Sequence, residues 1–211
     1  MILGAVQVVV NVGDLATAEA PLGAAGFTRS FHEPRLVSHP AKDIMLSGPR
    51  DALAMVHLTP PTPAPAVELT TYAGAPPAGT AAFTMTTSQE IAATTDDRAA
   101  SGAFWDALDA PQGDDGLRRF GAALPAWRLV ITTIDGPTRA GTTTVDADGC
   151  VLVSLVTSNV DAELARLHRG ALLHRATTVW EEHVAGRTLR VAIVEGPAGE
   201  LVELLQIPSA P

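Results

Sequence analysis

GAVQVVVNVGDLATAEAPLGAAGF, Gly4–Phe27, changes period halfway along. Val6, Val8, Val10 and Val12 recur at every second place, the spacing of one face of a β-strand, with Ala5, Gln7, Val9 and Asn11 on the other. Asp14 then stands where a helix N-cap belongs, because its carboxylate accepts the orphan N–H groups of a first turn. Leu15, Ala18 and Leu22 follow as a short apolar stripe, and Gly26 closes the segment. A strand that runs through a cap into a helix is half of a supersecondary unit, so the next question is how often the chain repeats it.

It repeats twice more. In QEIAATTDDRAASGAFWDALDAP, Gln89–Pro111, a strand through Glu90–Thr95 leads to Asp97 and a helix carrying Phe104, Trp105 and Leu108. In CVLVSLVTSNVDAELARLHRGA, Cys150–Ala171, Asn159 is the cap and Leu164 and Leu167 follow. Further short strands are expected over Phe27–His32, Ala52–Leu58 and Ala66–Tyr72 after the first copy, and over Thr177–His183, Leu189–Val194 and Leu201–Ile207 after the third. The last of each set carries the same phrase, VELTTY at Val67–Tyr72 and VELLQI at Val202–Ile207. The middle copy is irregular: Leu117–Ala122, Trp127–Thr133 and Thr142–Val145 are its candidate strands, with no matching glutamate. The expected organisation is α/β (α+β), built of tandem βαβββ units: a first unit over 1–74, a linker over 75–82, a second, irregular unit over 83–146 and a third over 149–208. The PTPAPA, AGAPPAG and DGPTRAGT stretches read as loops.

Composition narrows the function. Apolar residues make up 46% of the 211, enough for a sizeable core, and no run is long enough to cross a membrane. The N-terminal MILGAVQVVVNV lacks the basic start and cleavage site of a secretory signal and reads as a strand. A single cysteine, Cys150, rules out an internal disulfide framework and suits a reducing, cytoplasmic setting. A net charge of −9 without a basic run argues against nucleic acid or an anionic membrane as partner. Abundant alanine, glycine and proline with scarce lysine point to a GC-rich bacterial genome. Neither GxGxxG, a Walker loop, HxH nor HExxH occurs.

Glu68 and Glu203 are the residues that most need explaining, since a carboxylate inside an apolar strand is costly unless it has a partner or a task. Each is either a cavity-lining acid/base or ligand, or a structural carboxylate bonded to a neighbouring strand. Alternation puts Tyr72 on the face of Glu68 and Thr70. Gln7 faces away from the valine stripe, to line a cavity or a wet sheet face, and Glu90 has similar standing. His57 in AMVHLT and His183 after WEE are candidate acid/base groups, or packed histidines. Trp127 and Trp180 sit on expected strands, to stack on a flat ligand or to fill the core; Trp105 and Cys150 read as core.

The start at Val10–Ala18, the helix phrase DRAASGAFWDAL at Asp97–Leu108 and the ending GPAGELVELLQIP at Gly196–Pro208 together resemble the vicinal oxygen chelate superfamily, which includes glyoxalase I, bleomycin-resistance proteins and extradiol dioxygenases. The resemblance implies units paired into curved mixed-sheet half-barrels around a cavity, with a divalent ion held, in metal-dependent members, by the first and last strand of each unit. Carried over, those positions are Gln7 and Glu68 in the first copy, Glu90 in the second, and Leu152 and Glu203 in the third. Copies one and two would offer Gln7, Glu68 and Glu90; one and three Gln7, Glu68 and Glu203; two and three Glu90 and Glu203. No histidine falls at a ligand position and Leu152 cannot bind a metal, so the cofactor is either none or one divalent ion. An odd number of units leaves one uncovered, which implies a homodimer. The expected function is a small-molecule tailoring enzyme performing dehydration, cyclisation or isomerisation of an oxygenated, polyketide-like metabolite by acid/base chemistry with Glu68, Glu203, His57 and Glu90, and Gln7, Tyr72, Trp127 and Trp180 binding the substrate. Its alternatives are a metal-dependent lyase or dioxygenase, and a non-catalytic drug-binding protein of the resistance kind.

Overall fold

The computed structural model describes residues 1–73, 79–87, 89–120 and 128–207. Its first unit runs β1 (Ile2–Asn11), α1 (Leu15–Ala24), β2 (Thr28–Val37), β3 (Ala52–Thr59) and β4 (Ala66–Tyr72). The expected cap forms: the Asp14 carboxylate accepts from Thr17 N–H at 2.7 Å. α1 contains Pro21 and buries no residue fully, but its expected stripe, Leu15, Ala18 and Leu22, packs half-buried against the core. The chain returns through β2 and β3, and β4 settles parallel to β1, with Val9 beside Glu68.

Next come β5 (Phe83–Thr87), β6 (Glu90–Thr95), α2 (Arg98–Ala107), β7 (Arg118–Arg119) and β8 (Val130–Asp135). β6 and β8 pair in parallel and β7 lies antiparallel to β8, so two described strands follow the helix here, against three in the first unit. The strand expected over Thr142–Val145 does not form; Thr143 makes only an isolated bridge with Thr80. Its backbone and side chains are instead taken by Glu195, which accepts from Gly141 N–H and Thr143 Oγ1, and by Met45, whose carbonyl accepts from Val145 N–H.

The last unit is complete: β9 (Gly149–Thr157), α3 (Val160–Arg169), β10 (Arg175–Ala176), β11 (Trp180–Val184), β12 (Arg187–Glu195) and β13 (Leu201–Gln206). Its closing strand β13 lies parallel to β9, as β4 does to β1. The two complete units meet where β1 and β9 pair antiparallel, Gln7 opposite Ser154. Units one and three therefore share one curved mixed sheet, with the path β2-β3-β4-β1-β9-β13-β12-β11.

β9, at the centre, is buried along nearly its whole length, from Cys150 to Thr157. That explains its unbroken apolar reading, since a strand covered on both faces has no reason to alternate. The core continues under α2, where Trp105 packs against Phe104, Phe83 and Phe120 with ring centroids 5.2–6.2 Å apart. β5–β8 form a small sheet branch that joins β9 where Phe83 faces Cys150, and its other face carries Thr84, Glu90, Thr94 and Thr132 among Ala92, Val130 and Ile134. This mixed surface tolerates water, unlike the apolar face that an unpaired unit was expected to leave. Among the described residues no helix is long and apolar enough to cross a membrane.

Candidate active site

The concave side of the shared sheet encloses a cavity of about 750 Å³. Its walls are apolar, with Phe31, Leu36, Met55, Val156, Leu189 and Leu205 among them. Its polar groups come from both complete units. Gln7 Nε2 donates to Glu68 Oε2 at 2.8 Å, and Ser154 Oγ donates to Glu203 Oε2 at 2.6 Å. Each pair joins a first strand to the closing strand of its own unit, so the two pairs are counterparts across the β1–β9 junction.

Ser154 thus does for Glu203 what Gln7 does for Glu68, from a different place on its strand. Leu152 stands as far before its cap Asn159 as Gln7 does before Asp14. The strand registers agree, since Gln7 is two residues before Val9, beside Glu68, and Leu152 two before Ser154, beside Glu203. Across the junction Leu152 faces Val9.

Two further groups complete the cluster. Lys42, in a 3₁₀ helix over Pro40–Met45, is buried in the cavity, and its Nζ lies 3.1 Å from Glu182 Oε2 on β11. Glu182 Oε2 also accepts from Trp180 Nε1 at 2.9 Å, and Lys42 Nζ sits 5.5 Å from the centre of the Trp180 ring. His39 stacks on the other partner of this arrangement, its ring 5.7 Å from that of Trp180, while its Nδ1 accepts from Ala41 N–H at the start of the Lys42 helix. Neither Lys42 nor Glu182 was singled out from the sequence. The available signal was that Lys42 is the chain's sole lysine.

The electrostatics follow from this crowding. Burial, and then the charge of Glu203, raise Glu68 from an ordinary 4.5 to about 8; the Lys42 ammonium and the Gln7 amide pull the other way. Glu203 is also raised by burial, against the opposing Ser154 hydrogen bond and Lys42 charge. His57 faces the same cavity, stacked on Phe31 with centroids 4.9 Å apart, and burial lowers its pKa. Its Nδ1 has no hydrogen-bond partner among the described residues.

The remaining expectations separate. Tyr72 lies beneath the main cavity, beside a void of about 30 Å³ that it shares with Thr70, Lys42, Glu68 and Glu203, and burial raises its pKa further. Trp180 holds Glu182 and Lys42 rather than forming the cavity wall. Glu90 does not join Glu68 and Glu203: it is on β6, in the small sheet, where Thr132 Oγ1 donates to it at 3.1 Å. His183 is outside the cavity too, its Nδ1 2.9 Å from Thr188 Oγ1. Trp127 lies outside the described residues.

Of the three ligand sets the sequence offered, the fold assembles Gln7, Glu68 and Glu203, with Leu152 at the fourth position. These do not fit a tightly held divalent ion. Among the described residues no three His, Cys, Asp or Glu side chains form a group able to hold one. Leu152 offers no donor at the fourth position, the Ser154 hydroxyl is engaged with Glu203, and the set already faces an ammonium.

No family model and no curated protein matches the chain. Solved structures do. Glyoxalase I from Zea mays superposes with a TM-score of 0.59 at 13% identity, over 96% of this chain and 92% of that one. Methylmalonyl-CoA epimerase from Mycobacterium tuberculosis gives 0.49 at 14% identity, over 100% and 91%. The epimerase from Streptomyces coelicolor gives 0.43 at 14%, over the whole of both chains. At such identities a likeness speaks of architecture, and the glyoxalase I match joins the paired βαβββ units and their shared cavity in saying that this chain has the vicinal oxygen chelate fold.

Proposed function

We propose that the protein is a small-molecule enzyme that moves protons by carboxylate acid/base chemistry, isomerising, dehydrating or cyclising an oxygenated substrate. One observation carries this reading: two glutamates, one from the closing strand of each unit, face a single largely apolar cavity large enough for a metabolite. Two carboxylates forced to share a dry site resist ionising together, so one is retained as an acid while the other remains a base. Glu203 is the base and Glu68, held neutral, the acid. Gln7 and Ser154 fix the two carboxyl groups by hydrogen bonds and leave each an oxygen for the substrate.

In the reaction the Glu203 carboxylate takes a proton from the carbon next to a carbonyl. The C–H electron pair forms a C=C bond, and the carbonyl π pair moves onto oxygen. Glu68 then returns its own proton, to carbon in an isomerisation or to a departing hydroxyl, released as water, in a dehydration. Exchange with solvent restores the starting protonation of both groups. His57, neutral and with a free Nδ1, hydrogen-bonds a substrate hydroxyl or carbonyl while Phe31 fixes its ring plane. The apolar walls hold the carbon skeleton and exclude water.

The test is proton exchange. Wild-type protein incubated in D₂O with a panel of 1,3-dicarbonyl and 2-hydroxycarbonyl compounds should speed α-deuteration of at least one, followed by NMR. Glu203→Gln should lower that rate at least about a hundredfold, within the usual worth of a general base. Exchange by wild type and variant at the same rate would refute the assignment, and tight binding with no exchange would favour the drug-sequestering alternative.

A further inference from the structure

We propose that Lys42 is the resident cation of this site, standing in for the divalent ion of the fold's metal-dependent members, and that its ammonium seats an anionic or enolate oxygen of the substrate. This rests on the proton-transfer reading for its purpose, but on separate observations for its evidence.

The first is placement. The sequence holds one lysine, and the fold buries it in the cavity rather than leaving it on the surface, where lysine usually lies. The second is support. A buried ammonium needs a counter-charge and partners, and Glu182 supplies the charge at 3.1 Å while the Trp180 ring face lies 5.5 Å away. Glu182 and Trp180 are themselves joined by a hydrogen bond, and His39 braces both the ring and the start of the lysine helix. The third is charge balance. Glu68 and Glu203, at the metal-holding positions of the two closing strands, both feel the Lys42 charge.

An ammonium has three N–H donors and no acceptor. With one directed to Glu182, others remain for an oxygen that gains negative charge when Glu203 removes a proton. A preorganised cation in a water-poor cavity stabilises such an oxygen more than water does. The substrate class that fits is therefore a compound with an enolisable carbonyl or a carboxylate at the polar end and an apolar body toward Phe31 and Met55.

The test titrates Mn²⁺ calorimetrically into wild type, Lys42→Met and Lys42→Arg after chelator dialysis, with elemental analysis of each. Lys42→Met keeps the alkyl stem and removes the charge. It should bind Mn²⁺ at least about tenfold more tightly than wild type, an affinity lost again on adding Glu203→Gln, while Lys42→Arg should resemble wild type. Wild type that keeps one divalent ion per chain through dialysis, or Lys42→Met binding no more tightly than wild type, would overturn the proposal. A second measurement needs no variant. Protein expressed with ¹⁵Nζ-lysine carries Lys42 as its sole lysine signal with all its N–H donors intact; oxalate, a planar enolate mimic, should shift it, and no shift at saturating oxalate counts against the oxyanion seat. Mn²⁺ should leave the signal sharp, and its loss would place the ion beside Lys42 and overturn the idea. Gain of Mn²⁺ binding without any proton exchange would sink the turnover reading alone, whereas exchange without that gain would sink this one alone.

Discussion

Glu68 shows what a buried carboxylate does to the protein that carries it. Its folded pKa of about 8 lies above its ordinary 4.5, so between those values the folded state binds more protons than the unfolded one. Stability contributed by the neutral form is present below pH 4.5 and is lost as pH rises toward 8. Glu68→Gln copies the neutral form and keeps an oxygen for the Gln7 amide. Its unfolding midpoint in urea should match wild type near pH 4 and exceed it at pH 8.5. A constant offset across the range would mean that Glu68 ionises normally. The place of Glu68 at the cavity was legible in the sequence because the residue breaks an apolar strand. Lys42 and Glu182 broke no pattern, since a charged residue in a short turn or an edge strand is ordinary until the fold turns it inward.

At the scale of elements, the three strand–cap–helix phrases all form, because each depends on contacts only a few residues apart. Asn159 Oδ1 accepts from Ala162 N–H at 3.0 Å, and behind it α3 buries Val160 and Leu167 and carries Asp161 and Glu163 in its first turn. Asn159→Ala should cost about 1 kcal/mol of stability in denaturant unfolding, with little loss if the cap is redundant. The strands were harder to place. The stretch expected over Thr177–His183 begins as a strand only at Trp180, with β10 lying before it, and of Leu117–Ala122 the described part, Leu117–Phe120, contributes Arg118–Arg119 as a strand. The Arg118 guanidinium turns inward to Asp106 and the Ala110 carbonyl, so a charged residue serves the helix rather than the sheet edge.

For the whole molecule, the decisive event is that the first unit pairs with the third and passes over the second. β1 joins β9 along most of their length, and the cavity is complete within one chain. Both carboxylate pairs of the cavity therefore come from a single chain. The urea midpoint should stay constant over about a hundredfold range of protein concentration; a rise with concentration would mean that association covers the open face of the β6–β8 sheet. Light scattering over the same range would report whether copies associate without that coupling.

The chain's local pattern is enough to specify the repeat, the capped helices and the two glutamate-bearing closing strands, because periodicity and capping survive without knowledge of the partner strand. It also marked Glu68, Glu203, Gln7 and His57 as polar residues out of place in apolar strands, and the cavity holds all four. The folded chain alone settles which units pair, hence that Glu90 stands apart, that Ser154 partners Glu203, and that Lys42 and Glu182 enter the site. Pairing is set by burial summed over whole strand faces, which no local pattern reveals.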